Sequence, residues 1–190
     1  MSFVSIIANT KFLTVMTDGR ATEEDDTISN ENINKSILVN DNFFIAFTGD
    51  EDGIYPFIEE SGMQKPYSDY KKFAQDTKSK LMSSSLRKYK MNFAMGGKNC
   101  RNEFEFFSFG TYKHNFDHYK ATQVGRICYL FLGSPQIENI DLESVLIDYL
   151  QQKTGYLTPE KVLCAQKLLN DYVASLDVSV NTNTFRLTIK

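Results

Sequence analysis

Apolar residues gather in short runs rich in β-branched and aromatic side chains at the start of the chain. Positions 3–8, with Phe3, Val4, Ile6 and Ile7, and positions 12–16, with Phe12, Leu13, Val15 and Met16, predict two strands that turn at Asn9-Thr10. Neither run alternates cleanly between apolar and polar, the pattern of a sheet covered on both faces. Positions 33–39 and 43–48 predict a further hairpin turning at Asp41-Asn42. In its first strand, period 2 sets Lys35 on the face of Ile33, Ile37 and Val39. A lysine in an apolar row either pairs with an acid, for which Asp18 is available, or snorkels to solvent.

After Gly49-Asp50 the period becomes helical. A short helix is predicted over 54–60 and a longer one over 68–87, capped by Ser68 and carrying Tyr70, Phe73, Ala74, Thr77 and Leu81 on one face. Strands are predicted again over 92–95, 103–109, 119–122 and 127–132. One helix starts near Asp141, another opens at Thr158-Pro159-Glu160, and a last strand covers 180–189. Strands, two helices, strands, two helices and a strand, with strand faces buried on both sides, predict two stacked antiparallel sheets with helices outside.

The 190 residues show no linker, repeat or low-complexity tract, so they predict a single domain over 1–190. A net charge of -3 gives no basic surface for nucleic acid. No apolar run approaches the ~20 residues that span a bilayer. The first residues lack a signal-peptide pattern, and Cys100, Cys128 and Cys164 are spaced as neither a disulfide framework nor a metal site, so the expected location is cytoplasmic. Cys128 and Cys164 sit in apolar patterns and read as core residues. With only His114 and His118, flanking a loop, a Ser-His-Asp triad or a histidine-rich metal site is hard to build, and hydrolytic chemistry would need another base.

Four segments carry a family likeness: Ser2-Phe3-Val4-Ser5-Ile6-Ile7, Thr17-Asp18-Gly19-Arg20-Ala21-Thr22, Asn34-Lys35-Ser36-Ile37 and Ile45-Ala46-Phe47-Thr48-Gly49. In this order and spacing they resemble proteasome β-type subunits, with the bacterial HslV peptidase the nearer likeness. Both are N-terminal nucleophile (Ntn) hydrolases. Ser2 and Asp18 stand sixteen positions apart and Lys35 and Gly49 fourteen, as in that family. Phe93-Ala94-Met95-Gly96-Gly97, Leu132-Gly133-Ser134 and the segment from Asp177 to Phe185 extend the resemblance through the chain.

The resemblance implies an α+β, four-layer αββα sandwich. It implies Ser2 as nucleophile, with Met1 removed so that the freed α-amino group, of ordinary pKa about 7.7–8.0, serves as base. Lys35 would favour the neutral amine, Asp18 would hold Lys35, the Gly49 N–H would receive the oxyanion, and Ser134 matches the family's auxiliary serine. Phe47 falls at the substrate pocket and suggests apolar side chains in the substrate. No cofactor is implied beyond a monovalent cation on the backbone carbonyls of Leu176, Ser179 and Thr182. The implied partners are a peptide or protein substrate, further copies of the chain in a homo-oligomer or ring, and an ATPase. Four features depart from the family pattern: serine stands in place of threonine, Asp50 and Pro135 replace glycines, and Met1 precedes the nucleophile. Two other readings stay open: an Ntn-fold structural or interaction protein without catalysis, and a small-molecule amidase. Taken alone, Asp18-Gly19 and Gly49 read as ordinary turns.

Overall fold

The two N-terminal apolar runs form strands β1 (Val4–Ala8) and β2 (Leu13–Asp18), and every residue of both is buried. Asn9 holds the turn between them, its Oδ1 accepting the N–H groups of Lys11 and Phe12. The computed structural model describes residues 2–22, 27–62, 69–111, 115–133, 137, 139–152 and 157–190 of the chain. After β2 comes a small ladder that the sequence pattern does not predict, β3 (Ala21–Thr22) and β4 (Ile28–Asn30), too short and polar to carry a periodic signal. β5 (Ser36–Asn40) and β6 (Phe43–Gly49) make the expected hairpin.

Helix α1 (Glu51–Ser61) starts three residues before its predicted span. The predicted helix over 68–87 is instead α2 (Tyr70–Ser83) followed by a 3-10 turn (Ser85–Lys88). Ser68 lies outside the described residues, and Asp69 is the cap, accepting from the N–H of Lys72. The interruption falls on a run of serines, whose side chains compete for backbone groups. Ser83 Oγ donates to the carbonyls of Ser79 and Lys80, and Ser84 Oγ accepts the N–H of Leu86.

Strands β7 (Met91–Lys98), β8 (Phe104–Gly110), β9 (Phe116–Lys120) and β10 (Cys128–Leu132) follow. β9 begins earlier than predicted because Phe116 sits opposite Phe109 and its ring stacks at 5.6 Å on Phe107. Asp141 and Thr158 cap α3 (Leu142–Gln151) and α4 (Pro159–Leu176) as the sequence suggests. The last strand, β11 (Thr184–Ile189), is shorter than its predicted span, since the preceding asparagines bond elsewhere.

One sheet has the order β10-β1-β2-β11 and the other β5-β6-β7-β8-β9, all neighbours antiparallel. Phe3, Ile7 and Phe12 on the first sheet share a buried cluster with Leu142 and Leu146 of α3 and Val162, Leu169 and Val173 of α4. Phe43, Ile45, Phe93 and Phe107 on the second share one with Ile54, Phe57, Phe73 and Leu81 of α1 and α2. The remaining faces meet each other: Val4, Ile6, Leu13 and Val15 pack with Phe44, Ala46, Ala94 and Phe106. Three clusters separate four layers, and the chain is an αββα sandwich. Among the described residues no helix is long and apolar enough to cross a membrane.

All three cysteines are free. Cys128 packs against the inter-sheet cluster, and burial pushes its thiol up to about 11. Cys164, read from the sequence as a core residue, is exposed. The buried stripe of α4 runs through Val162, Ala165, Gln166, Leu169, Asn170 and Val173, and position 164 falls off it.

Candidate active site

Asp18 closes β2 and is fully buried. The β1–β2 ladder runs to Val4 and Thr17, and Phe3 and Asp18 bond just beyond its end. Asp18 N–H donates to the Phe3 carbonyl at 3.0 Å. In return the Phe3 N–H, at 2.8 Å, goes to the Asp18 carboxylate Oδ1 rather than to its carbonyl. The other oxygen, Oδ2, accepts the N–H of Arg20 at 2.8 Å. Beside them Lys35, only 3% exposed, donates from Nζ to Asp18 Oδ1 at 2.8 Å and also to the Arg20 carbonyl. One carboxylate thus gathers an ammonium and two backbone donors, which is what a buried charge requires.

Lys35 stands just before β5, and its carbonyl accepts the N–H of Phe47 on the neighbouring strand at 3.0 Å. Of the two sequence readings for this lysine, pairing with Asp18 holds and snorkelling does not. Burial depresses the pKa of Lys35 below 10.5, against the opposing pull of Asp18 and of Glu51 at the start of α1. Ser2 is 5% exposed and one peptide bond from the Phe3 N–H on Asp18.

Gly49 ends β6 with φ +123°, and a Cβ built there would stand 2.0 Å from the Lys90 carbonyl oxygen. Phe47 N–H points to Lys35, while Asp50 N–H donates to the Lys90 carbonyl at 2.8 Å. The alternation of an antiparallel ladder therefore turns the Gly49 N–H away from β7, to the side of β6 where Lys35 lies. Asp50, the charged departure from the family pattern, is exposed, and its Oδ2 accepts the Lys90 N–H at 2.8 Å.

The structure thus brings Asp18 and Lys35 together, with Ser2 next in the chain to the Phe3 that Asp18 holds and Gly49 on the strand beside β5. Phe47 packs in the cluster beneath α1, its ring edge-on to the exposed Tyr55 at 5.9 Å. Ser134 lies outside the described residues, as does His114. His118 bonds to Glu105 at 2.9 Å and stacks on Phe107. Among the described residues no three His, Cys, Asp or Glu side chains gather as metal ligands.

Leu176 ends α4, and Ser179 and Thr182 lie in its connection to β11. Three carbonyls of this segment accept hydrogen bonds: Asp177 from the Val180 N–H, Val178 from Arg20, and Asn181 from Asn170.

The sequence reading misses Asn170, Asn181, Glu31 and Gln166 around this site. Asn181 accepts the Gly19 N–H and donates to the Glu31 carbonyl, both at 3.0 Å. Gln166 donates to the Ser5 carbonyl and hydroxyl. A signal did exist for two of them, since Gln166 and Asn170 interrupt the apolar stripe of α4 one turn apart. Arg20 pairs with Glu31 at 2.7 Å.

No protein-family model and no curated protein matches the sequence. Solved structures match across 98% of the chain. Eukaryotic HslV from Trypanosoma brucei superposes with a TM-score of 0.68 at 12% identity over 98% of its own chain. Anbu, an ancestral beta-subunit from Yersinia bercovieri, superposes with a TM-score of 0.72 at 14% identity over 80% of its chain. The sandwich of this chain is the proteasome-like Ntn fold.

Proposed function

We propose that a protein with this proteasome-like fold hydrolyses amide bonds of peptides, using Ser2 as nucleophile after Met1 is removed. The observation that supports it is the buried Asp18–Lys35 pair, whose carboxylate accepts the N–H of Phe3, the residue after Ser2. In this reading Ser2 Oγ attacks the substrate carbonyl carbon while the freed α-amino group takes the hydroxyl proton, directly or through a water. The nearby ammonium of Lys35 keeps that amine neutral by like-charge repulsion. Two of its three N–H donors serve Asp18 and the Arg20 carbonyl, leaving the third for the Ser2 side. The Gly49 N–H receives the oxyanion. Collapse breaks the C–N bond, the α-ammonium protonates the departing amine, and water then cleaves the Ser2 ester. Ser134 assists the nucleophile's proton, and Phe47, with the exposed Tyr55 over its ring, would set a preference for apolar substrate side chains. A cation on the Leu176, Ser179 and Thr182 carbonyls would steady the loop after α4 and supply no chemistry.

The same reading takes a homo-oligomer, closed as a ring and served by an ATPase, in the cytoplasm where three free cysteines stay reduced. The rival reading is a non-catalytic Ntn-fold module. It is favoured by Asp50, a negative charge next to the Gly49 that would receive the oxyanion.

Intact mass of untagged protein and reaction with a β-lactone probe test the proposal. Loss of Met1 and a single adduct on Ser2 are expected, abolished by Ser2→Ala and reduced at least about 100-fold by Lys35→Ala. Retained Met1 in all molecules with no adduct would overturn it.

A further inference from the structure

We infer that Asn181 is a positioning residue: its side-chain amide clasps the two backbone segments that hold Asp18 and Lys35 together. The inference deepens the proposed function, but its geometry stands apart from it. The Asn181 Oδ1 accepts the N–H of Gly19, and its Nδ2 donates to the carbonyl of Glu31. Ile33 N–H closes the same contact from the other side, donating to the Gly19 carbonyl at 2.9 Å. One amide therefore spans the turn 18–20 and the stretch 31–33 that leads to Lys35.

Its orientation is fixed by chemistry. An N–H faces the amide oxygen and a carbonyl faces the amide nitrogen, so a flipped side chain would set donor against donor and acceptor against acceptor. Asn181 is itself held, its carbonyl accepting from Asn170 Nδ2 at 2.7 Å. Asn170 is 1% exposed and Asn181 6%, so neither has water to substitute for a lost partner.

The consequence for the site follows from what Gly19 separates. On one side is the Asp18 carboxylate and on the other the Arg20 carbonyl, the two acceptors of Lys35 Nζ. Holding Gly19 holds both. Asn183 Nδ2 reaches the same Glu31 carbonyl at 3.1 Å, and only its Cβ, which an alanine keeps, packs beside Gly19. It is the natural control.

The test is amide hydrogen exchange by NMR on the full chain. The Phe3 and Arg20 N–H groups are the two backbone donors to the Asp18 carboxylate. Asn181→Ala should speed exchange at both by roughly tenfold or more. Leu81→Ala, in the separate cluster under α2, serves as a comparably destabilised variant, and Asn183→Ala as the loop control; both should leave the two amides at their wild-type rates relative to the rest of the core. Should Asn181→Ala fail to fold, Asn181→Ser carries the same measurement. Unchanged Phe3 and Arg20 exchange in the Asn181 variant, or a rise no larger than in Leu81→Ala, overturns the inference. The β-lactone probe adds a separate arm, with Ser2 labelling expected to slow in Asn181→Ala. An unreactive wild type would count against the proposed function alone, and the exchange result would still decide for or against the clasp.

Discussion

An ammonium as buried as that of Lys35 is stable only because its partners are complete. Asp18 neutralises it, the Arg20 carbonyl takes a second N–H, and two backbone amides occupy the rest of the carboxylate. Removing one member of a buried pair costs about 3–5 kcal/mol. Lys35→Met should fall near the lower end, at about 3 kcal/mol, because Asp18 keeps its two backbone donors. Urea denaturation measures this. The same variant should change the pH dependence of stability. Burial sets the folded pKa of Lys35 below 10.5, so between that lowered value and 10.5 the unfolded chain binds more proton than the folded one. Stability from this group therefore rises with pH through that window. Wild type should gain on Lys35→Met as the pH rises, and a constant difference between them would show that Lys35 is not depressed. The apolar row marked Lys35 as an anomaly but left it between pairing and snorkelling, and the spacing shared with the resembling family decided for the pair. Asn181 was not legible in the sequence, since its partners Gly19 and Glu31 lie 162 and 150 positions away and asparagine in a loop is unexceptional.

Elements were legible where one period ran undisturbed, and their ends shifted where side chains competed for the backbone. Thr158-Pro159 marks the start of α4 because cap and first-turn chemistry is local. The serine run after α2 reads as helix by period but bonds as a break. Gly49 is the sharpest case: as a letter it fits any strand-to-helix turn, yet it combines φ +123° with contact at the Lys90 carbonyl. Gly49→Ala must both enter a region that L-residues avoid and displace the backbone of the neighbouring strand. The expected loss is about 2 kcal/mol or more, beyond the ~1–3 kcal/mol for backbone strain where the contact does not relax. A midpoint of urea unfolding equal to wild type would show that the end of β6 is loose and unfit to fix an N–H donor. Asp50→Ala should cost less, since it removes one exposed bond to Lys90 and leaves the backbone pairing intact.

At the scale of the molecule, the spacing between the sheets sets where the site's parts meet. Ser2 and Asp18 belong to the β1–β2 side, whereas Lys35 and Gly49 belong to the β5–β6 side. The αββα order was legible because β1 and β2 are apolar on both faces, but no local pattern singles out which small residues let the sheets approach. The structure assigns that to Ala46 and Ala94, directly opposite each other on β6 and β7 and fully buried among Val4, Ile6, Phe44 and Phe106. Ala94→Leu would add three carbons to a closed layer, at a cost of about 1–3 kcal/mol. Phe44→Ala would open a cavity there and cost about 3–5 kcal/mol. The two should differ at the site as well as in size. Overpacking pushes the sheets apart and should speed exchange of the Ile33 amide on the Gly19 carbonyl, which joins the two sides, whereas the cavity leaves that separation to the surrounding side chains and should affect the amide only through global stability. If Ala94→Leu unfolds with the wild-type midpoint and keeps the Ile33 amide protected, the layer has room to spare, and the meeting of Asp18 and Lys35 is set by the local bonds of the turn alone.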